Sequence, residues 1–182
     1  MTDTQKKPLW KNELVWLFLL TSGLFAILYS KFILGGYAYV FTDTGADTMQ
    51  INYAQYGLFS SLFRSGESGY VLQAGLGMDV SSYYPAYLIP YNLLILLAPQ
   101  RLLPWAVLAS AYLKMITISL VGYLFYRKLM QDGIGTMAAA LAWTFSGYVI
   151  LWGQHYGFCT CMALFTVFMY FLQCYLNGEQ RW

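Results

Sequence analysis

Residues 102–126 read LLPWAVLASAYLKMITISLVGYLFY, an apolar run in which Lys114 is the single charged side chain. A helix of about 20 apolar residues is long enough to cross the hydrocarbon core of a bilayer. Further apolar runs occupy residues 14–34, 134–153 and 158–176. The sequence therefore predicts an all-α fold, a polytopic bundle of transmembrane helices.

The composition excludes an ordinary soluble domain. Hydrophobic residues make up 59% of the 182 residues and aromatic residues 19%, whereas charged residues make up 10%, well under the quarter that is typical of soluble domains. The net charge is only +2 and no basic cluster is present, so nucleic acid is not an expected partner. The lipid bilayer is the predicted partner, and the predicted location is the cell membrane, with several passes.

The basic residues before the first run orient the chain. Lysines near a span favour the cytoplasmic side, and three of them precede residue 14: Lys6, Lys7 and Lys11. We therefore predict a cytoplasmic N-terminus and an outer loop over residues 35–82. Within that loop, residues 46–64 repeat apolar side chains at steps of three or four. This pattern predicts an amphipathic helix on the outer membrane surface; the repeating residues are Met49, Tyr53, Tyr56, Phe59 and Phe63.

Residues 83–99 leave the number of spans open. The segment is apolar but short, and polar or helix-breaking residues interrupt it: Pro85, Pro90 and Asn92. If it crosses the membrane, Arg127 and Lys128 lie outside and His155 inside. If it is re-entrant or lies on the surface, Arg127 and Lys128 are cytoplasmic, as the distribution of basic residues favours. We predict four full spans and a re-entrant segment.

Carboxylates follow the first span in the stretch FTDTGADTMQ, residues 41–50. On a helix that starts near Gly45, Asp47 and Gln50 share a face. Asp43 or Asp47 could act as a general base on an acceptor hydroxyl, or hold a divalent cation against a phosphate. The alternative is structural: Thr44 caps the helix and Asp47 completes its N-terminal turn.

Two further charged or titratable residues are candidates. Lys114 lies in mid-span, where a cation is costly and usually has a purpose; it could bind a lipid phosphate, pair with a carboxylate, or make a structural ion pair. His155 is the only histidine and lies between two spans. Its imidazole suits proton transfer or phosphate binding, although a lone histidine beside Trp152 and Tyr156 is also typical of a membrane-interface belt.

Other residues carry weaker signals. Tyr83 and Tyr84 follow a glycine-rich stretch and offer aromatic faces of the kind that bind sugar rings. Nucleotide-binding and nucleophile motifs are lacking in the sequence. The three cysteines lie in one apolar run and are read as buried thiols, and one histidine does not make a zinc site; these residues are Cys159, Cys161 and Cys174.

The order of these landmarks resembles the YfhO family of bacterial membrane proteins. An Asp-containing loop leads into a helix with Gln50 and Tyr53, and the stretch GLGMD at residues 75–79 precedes Tyr83 and Tyr84. Lys114 in a long span and QHYGF at residues 154–158 complete the pattern. The resemblance covers about residues 12–176. It implies a GT-C-like fold, the architecture of glycosyltransferases that use lipid-linked sugars.

The resemblance implies an activity and its residues. Such enzymes transfer a sugar from a polyprenyl-phosphate donor to a cell-envelope polymer, such as teichoic acid, at the outer face. Asp43 or Asp47 then matches the catalytic base, and the matching substrate-binding residues are Gln50, Tyr53, Tyr83, Tyr84, Lys114 and His155. The cofactor stays open, with a divalent cation as one alternative. The competing hypothesis is a fragment of a non-enzymatic transporter or scaffold, with Lys114 as a transport or structural charge.

Members of this family are longer and have more spans. The resemblance therefore implies that residues 1–182 are the N-terminal part of a membrane domain in a longer protein.

Overall fold

The computed structural model of the chain describes residues 12–40, 47–67, 69–72, 77–81, 88–130 and 132–179. The fold is mostly helical, as predicted. Within these residues the α-helices are α1 (Glu13–Leu28), α2 (Ser30–Leu34), α3 (Ala54–Ser65), α4 (Pro90–Leu97), α5 (Leu103–Leu129), α6 (Gly133–Thr144), α7 (Gly147–Leu151) and α8 (Tyr156–Leu176). A π-helix covers Thr48–Tyr53, and 3-10 helices cover Gln100–Leu102 and Trp152–Gln154. Strands β1 (Tyr70–Val71) and β2 (Met78–Asp79) pair antiparallel.

Three helical stretches of the described chain are long and apolar enough to cross a membrane: Gln100–Leu129, Gly133–Gln154 and Tyr156–Leu176. They overlap the apolar runs of the sequence that begin at residues 102, 134 and 158. Local sequence explains where the first two begin. Pro104 lies in the first turn of α5, where its missing N–H is no loss. Asp132 caps α6, because its carboxylate accepts hydrogen bonds from the backbone N–H groups of Ile134 and Gly135.

Two helices cover the predicted first span, residues 14–34: α1 ends at Leu28, and α2 begins at Ser30. Helix α1 has 16 residues, about 24 Å of rise, which is shorter than the hydrocarbon core of about 30 Å. At the break, Tyr29 is buried and its ring stacks on Phe25 with 4.3 Å between centroids. Neither glycine nor proline lies at this break.

The short apolar segment 83–99 contains helix α4, of eight residues. Pro90 starts the helix in its first turn, after an extended Ile89. Eight residues rise only about 12 Å, far too little to cross a bilayer. A full span is therefore not formed by residues 88–99, while residues 82–87 lie outside the described part.

The chain forms two compact units, and α5 contributes residues to each. Unit 1 contains residues 1–30, 114–152 and 158–182. Its core includes Leu17, Tyr123 and Ala140, all buried. Thr21 and Ser119 share a buried hydrogen bond of 2.7 Å, which pairs the hydroxyls of α1 and α5 in a setting where water cannot satisfy them.

Four helix ends of unit 1 lie together. The Tyr123 hydroxyl, near the end of α5, donates a hydrogen bond to Glu13 at the start of α1. Glu13 also contacts Gly133 at the start of α6, where a side chain would clash with the carboxylate. Lys128, near the end of α5, is paired with Glu179, which follows α8. The N-terminal ends of α1 and α6 thus adjoin the C-terminal ends of α5 and α8.

Unit 2 contains residues 31–113 and 153–157. Its apolar core brings α3 and α4 together with the β-hairpin; the buried residues are Phe59, Leu62, Val71, Val80 and Leu96. Hydrogen bonds to the end of α4 reinforce this packing. The Ser60 hydroxyl donates to the Ala98 carbonyl at 2.7 Å, and the Arg64 guanidinium donates to the same carbonyl at 3.2 Å.

The amphipathic helix predicted over residues 46–64 is present from Thr48 to Ser65, but its buried face differs. Tyr56 and Phe59 are buried as expected, whereas Met49 is 52% exposed and Phe63 is 37% exposed. The first six residues form a π-helix, whose turns hold more residues than α turns. Residues at steps of three or four therefore do not stay on one face through this part.

Candidate functional site

The predicted site residues fall into three groups. Asp43, Tyr83 and Tyr84 lie outside the described residues. Unit 2 contains Asp47, Gln50, Tyr53 and His155, and unit 1 contains Lys114.

Asp47 stands at the start of the π-helix, but its side chain makes no capping hydrogen bond to the helix. Thr44, the cap in the structural interpretation of this stretch, lies outside the described residues. Its backbone carbonyl accepts a hydrogen bond from the Asn52 amide at 3.3 Å, which fixes the first turn without the carboxylate. The carboxylate is half-buried.

The start of this helix is joined to the turn that contains His155. Thr48 is completely buried, and its hydroxyl donates a hydrogen bond to the Gln154 carbonyl at 3.1 Å. Asp47 precedes Thr48, and His155 follows Gln154. The structure thus places a carboxylate and an imidazole on the residues that flank one hydrogen bond, although 106 positions separate the bonded pair.

Three tyrosines pack beside this junction, and we call them the tyrosine cluster: Tyr39, Tyr56 and Tyr156. The rings of Tyr56 and Tyr156 stack with 5.4 Å between centroids, and those of Tyr39 and Tyr156 are 5.7 Å apart. The Tyr156 hydroxyl donates to the Tyr39 carbonyl, and the Tyr39 hydroxyl donates to the Gly153 carbonyl at 3.3 Å. The cluster therefore holds the loop after α2 against the turn at residues 153–157.

Sequence reasoning missed the roles of Tyr39 and Tyr156 in this junction, and that of Asn92. The Tyr56 hydroxyl donates to the Asn92 side-chain oxygen at 3.4 Å, and both residues are buried. A weak signal existed, because an asparagine in an apolar run and a tyrosine in a buried position each require a polar partner. The identity of that partner depends on long-range packing and could not be read from spacing.

Gln50 and Tyr53 lie farther along the π-helix. Gln50 is exposed whereas Asp47 is half-buried, so the two do not share one face as predicted. The wider π turn is the reason, since it rotates residues three positions apart farther from each other. Tyr53 is half-buried, and burial raises the pKa of its phenol. Tyr53 is therefore a neutral hydrogen-bond donor at neutral pH.

Lys114 belongs to α5 and is 2% exposed. The neighbours within electrostatic range include the Cys159 and Cys161 side chains of α8. A side chain so fully enclosed does not present its ammonium to a lipid head group. Cys159 is buried, as predicted, and its thiol donates to the Val149 carbonyl at 3.6 Å; Cys161 is exposed along α8, and Cys174 is half-buried.

In the described part of the chain, no group of three or more histidine, cysteine, aspartate or glutamate side chains is arranged to hold a metal ion. The acidic loop residue Asp43 lies outside that part. At the junction, a half-buried carboxylate and a half-buried imidazole belong to the residues next to the bonded pair, and both groups are of kinds that can transfer protons.

Comparison with protein families, curated proteins and solved structures gives no match for this chain.

Proposed function

We propose that this chain is part of a membrane glycosyltransferase of the GT-C type, which transfers a sugar from a polyprenyl-phosphate donor to a cell-envelope polymer such as teichoic acid. One observation carries the proposal: the Thr48–Gln154 hydrogen bond joins the start of the Asp47 helix to the His155 turn. The resemblance of the landmark order to the YfhO family supplies the reaction class.

The contacts within each unit support the membrane arrangement that this proposal needs. In unit 1, Glu13, Lys128 and Glu179 gather at one set of helix ends, which suits a common cytoplasmic side for all three. In unit 2, Tyr39 and Thr48 bond to Gly153 and Gln154, which suits a common outer side for the loop and the turn. A re-entrant rather than crossing 83–99 segment satisfies both requirements.

The proposed mechanism assigns one role to each flanking residue. In glycosyl transfer, the acceptor hydroxyl loses a proton as negative charge develops on the leaving phosphate. Asp47 is the proposed general base on the acceptor hydroxyl. His155, when protonated, would stabilise the leaving phosphate by charge and hydrogen bonding. Asp43, which lies outside the described residues, is the other candidate base.

A deletion strain tests the activity. Loss of the gene should remove the sugar from the envelope polymer, and the complete gene should restore it. Membranes of the complemented strain should transfer labelled sugar from a polyprenyl-phosphate donor to the polymer, whereas membranes of the deletion strain should not. Unchanged polymer glycosylation in the deletion strain, with donor and acceptor both present, would contradict the proposal.

The burial of Lys114 favours a second candidate function, transport. A fully enclosed cation in a predicted span is typical of a substrate or ion pathway. Under this hypothesis, Lys114→Gln abolishes the cellular function while Asp47→Asn preserves it. Glycosyl transfer predicts that Asp47→Asn is the more damaging of the two substitutions, so expressing both variants in the deletion strain distinguishes the functions.

A further inference from the structure

A cleft of about 140 Å³ lies in unit 2, between the loop after α2 and the start of α5. Its walls are mostly aromatic and aliphatic, and they include Phe32, Tyr37, Tyr39, Trp105 and Leu108. Leu108 and Tyr39 are buried, whereas Tyr37 is 67% exposed and Trp105 is 49% exposed. The cleft therefore has a closed apolar floor and an open aromatic rim.

The turn after α2 builds this cleft. Gly36 has a φ of +68°, a left-handed conformation that glycine adopts at little cost. The turn sends the chain back along α2, so that the Tyr39 ring meets Phe32 edge-on with 5.1 Å between centroids. At Gly35, a Cβ would lie 3.0 Å from the Tyr37 ring and 2.5 Å from the Lys31 carbonyl. Its missing side chain lets Tyr37 lie close to the backbone at the rim.

Lys31 adds a positive charge beside the cleft. A shallower apolar depression of about 400 Å³ adjoins it and is bordered by Lys31 together with Phe32 and Tyr37. Phe32 and Tyr37 line both hollows. Lys31 is exposed and sits at the end of the first apolar run, where lysine side chains extend towards lipid head groups.

We propose that this cleft binds an anionic phospholipid of the surrounding bilayer, with an acyl chain against Phe32, Tyr37 and Trp105 and the phosphate against Lys31. Charge complementarity decides the occupant, because Lys31 places a cation at the edge of the adjoining depression, whose lining is mostly apolar. Exposed tyrosine and tryptophan at the same rim are typical of the membrane–water interface, where that phosphate is found.

The bound lipid would also act on the candidate site. Tyr39 forms part of the cleft wall, and its hydroxyl donates to the Gly153 carbonyl. Filling the cleft would hold Tyr39 in place and so stabilise the turn that contains His155. This inference does not depend on the glycosyltransferase proposal, since the cleft can select an anionic lipid whatever reaction the protein performs.

Trp105 reports directly on occupancy. The protein is reconstituted into vesicles of phosphatidylcholine with increasing fractions of brominated phosphatidylglycerol or brominated phosphatidylcholine, because bromine quenches tryptophan fluorescence on contact. The Trp105→Phe variant, measured in parallel, isolates the contribution of Trp105 from the other tryptophans. We expect brominated phosphatidylglycerol to half-quench the Trp105 contribution at a roughly five-fold lower fraction than brominated phosphatidylcholine does. One cation near an anionic lipid surface contributes an attraction of about that size.

Three variants and one competitor complete the test. Lys31→Gln should abolish the preference for the anionic lipid, whereas Lys31→Arg and the control Arg127→Gln should keep it. Equal quenching by both lipids in the unsubstituted protein, or an unchanged preference in Lys31→Gln, would overturn the proposal. Displacement of brominated phosphatidylglycerol by polyprenyl phosphate at a lower fraction than by unlabelled phosphatidylglycerol would also overturn it, and would assign the cleft to a carrier lipid.

Discussion

Replacing Thr48 by valine removes one hydroxyl from the junction and leaves its shape nearly unchanged. Thr48 is completely buried, and its hydroxyl donates to Gln154 across 3.1 Å. Valine is also β-branched, so the packing and the rotamer preference are largely preserved. The substitution therefore tests the hydrogen bond that joins the Asp47 helix to the His155 turn.

The expected loss follows from the surroundings of the acceptor. A buried acceptor that loses its donor costs about 1–3 kcal/mol. Gln154 is only half-buried, so water can partly replace the donor and the lower figure applies. We predict that Thr48→Val lowers the free energy of unfolding by about 1 kcal/mol, roughly a five-fold shift in the equilibrium.

Thr144→Val is the matched control. Thr144 is also completely buried, but its hydroxyl donates to the Ala140 carbonyl of its own helix at 2.7 Å. That carbonyl already accepts the backbone hydrogen bond of the helix. Losing the additional bond from the Thr144 hydroxyl should therefore lower the free energy of unfolding by under about 0.5 kcal/mol. Titration with dodecyl sulfate in mixed micelles gives the free energies, and hydrogen exchange over residues 152–157 locates the change. A Thr48→Val loss no larger than that of Thr144→Val, with unchanged exchange, would refute the reasoning.

Two further predictions use the same titration. Phe59→Ala should lower the free energy of unfolding by about 3–5 kcal/mol, because Phe59 is 1% exposed in the core of unit 2; the more exposed Phe63→Ala, one turn on, should cost far less. The Lys128 ammonium holds the pKa of Glu179 below its ordinary 4.5. The pair therefore stabilises the fold above that pH and loses its effect as the pH falls through the lowered pKa. Glu179→Gln should be less stable than the unsubstituted protein at pH 7, and the difference should vanish at low pH.

The long helices could be predicted from the sequence because they depend on local properties. Residues 102–126 are mostly apolar, with Lys114 as their single charged residue, and the observed helix, Leu103–Leu129, differs by only a few residues. Hydropathy determines such segments before any packing is known. The break at Tyr29 could not be predicted, because neither glycine nor proline lies there.

The candidate site could be predicted only in part. Asp47 and His155 were identified from residue chemistry and from their places beside predicted spans. Their connection depends on Thr48 and Gln154, which are 106 positions apart, and on the packing of Tyr39 against Tyr156, 117 positions apart. A single sequence gives no information about such pairs. The π-helix could likewise not be predicted, since the apolar residues in this segment recur at the steps of an ordinary α-helix.

Under the proposed mechanism, the Asp47 carboxylate acts as the base of a glycosyl transfer. The measurement is the rate of sugar transfer from a polyprenyl-phosphate donor, in membranes that contain the complete protein with Asp47→Asn. Asp79→Asn is the matched control, because Asp79 is exposed on the hairpin and its side-chain oxygen accepts bonds from Ser81. At matched expression, we expect a fall of roughly 100-fold for Asp47→Asn and an unchanged rate for Asp79→Asn. An unchanged rate in Asp47→Asn would contradict this mechanism.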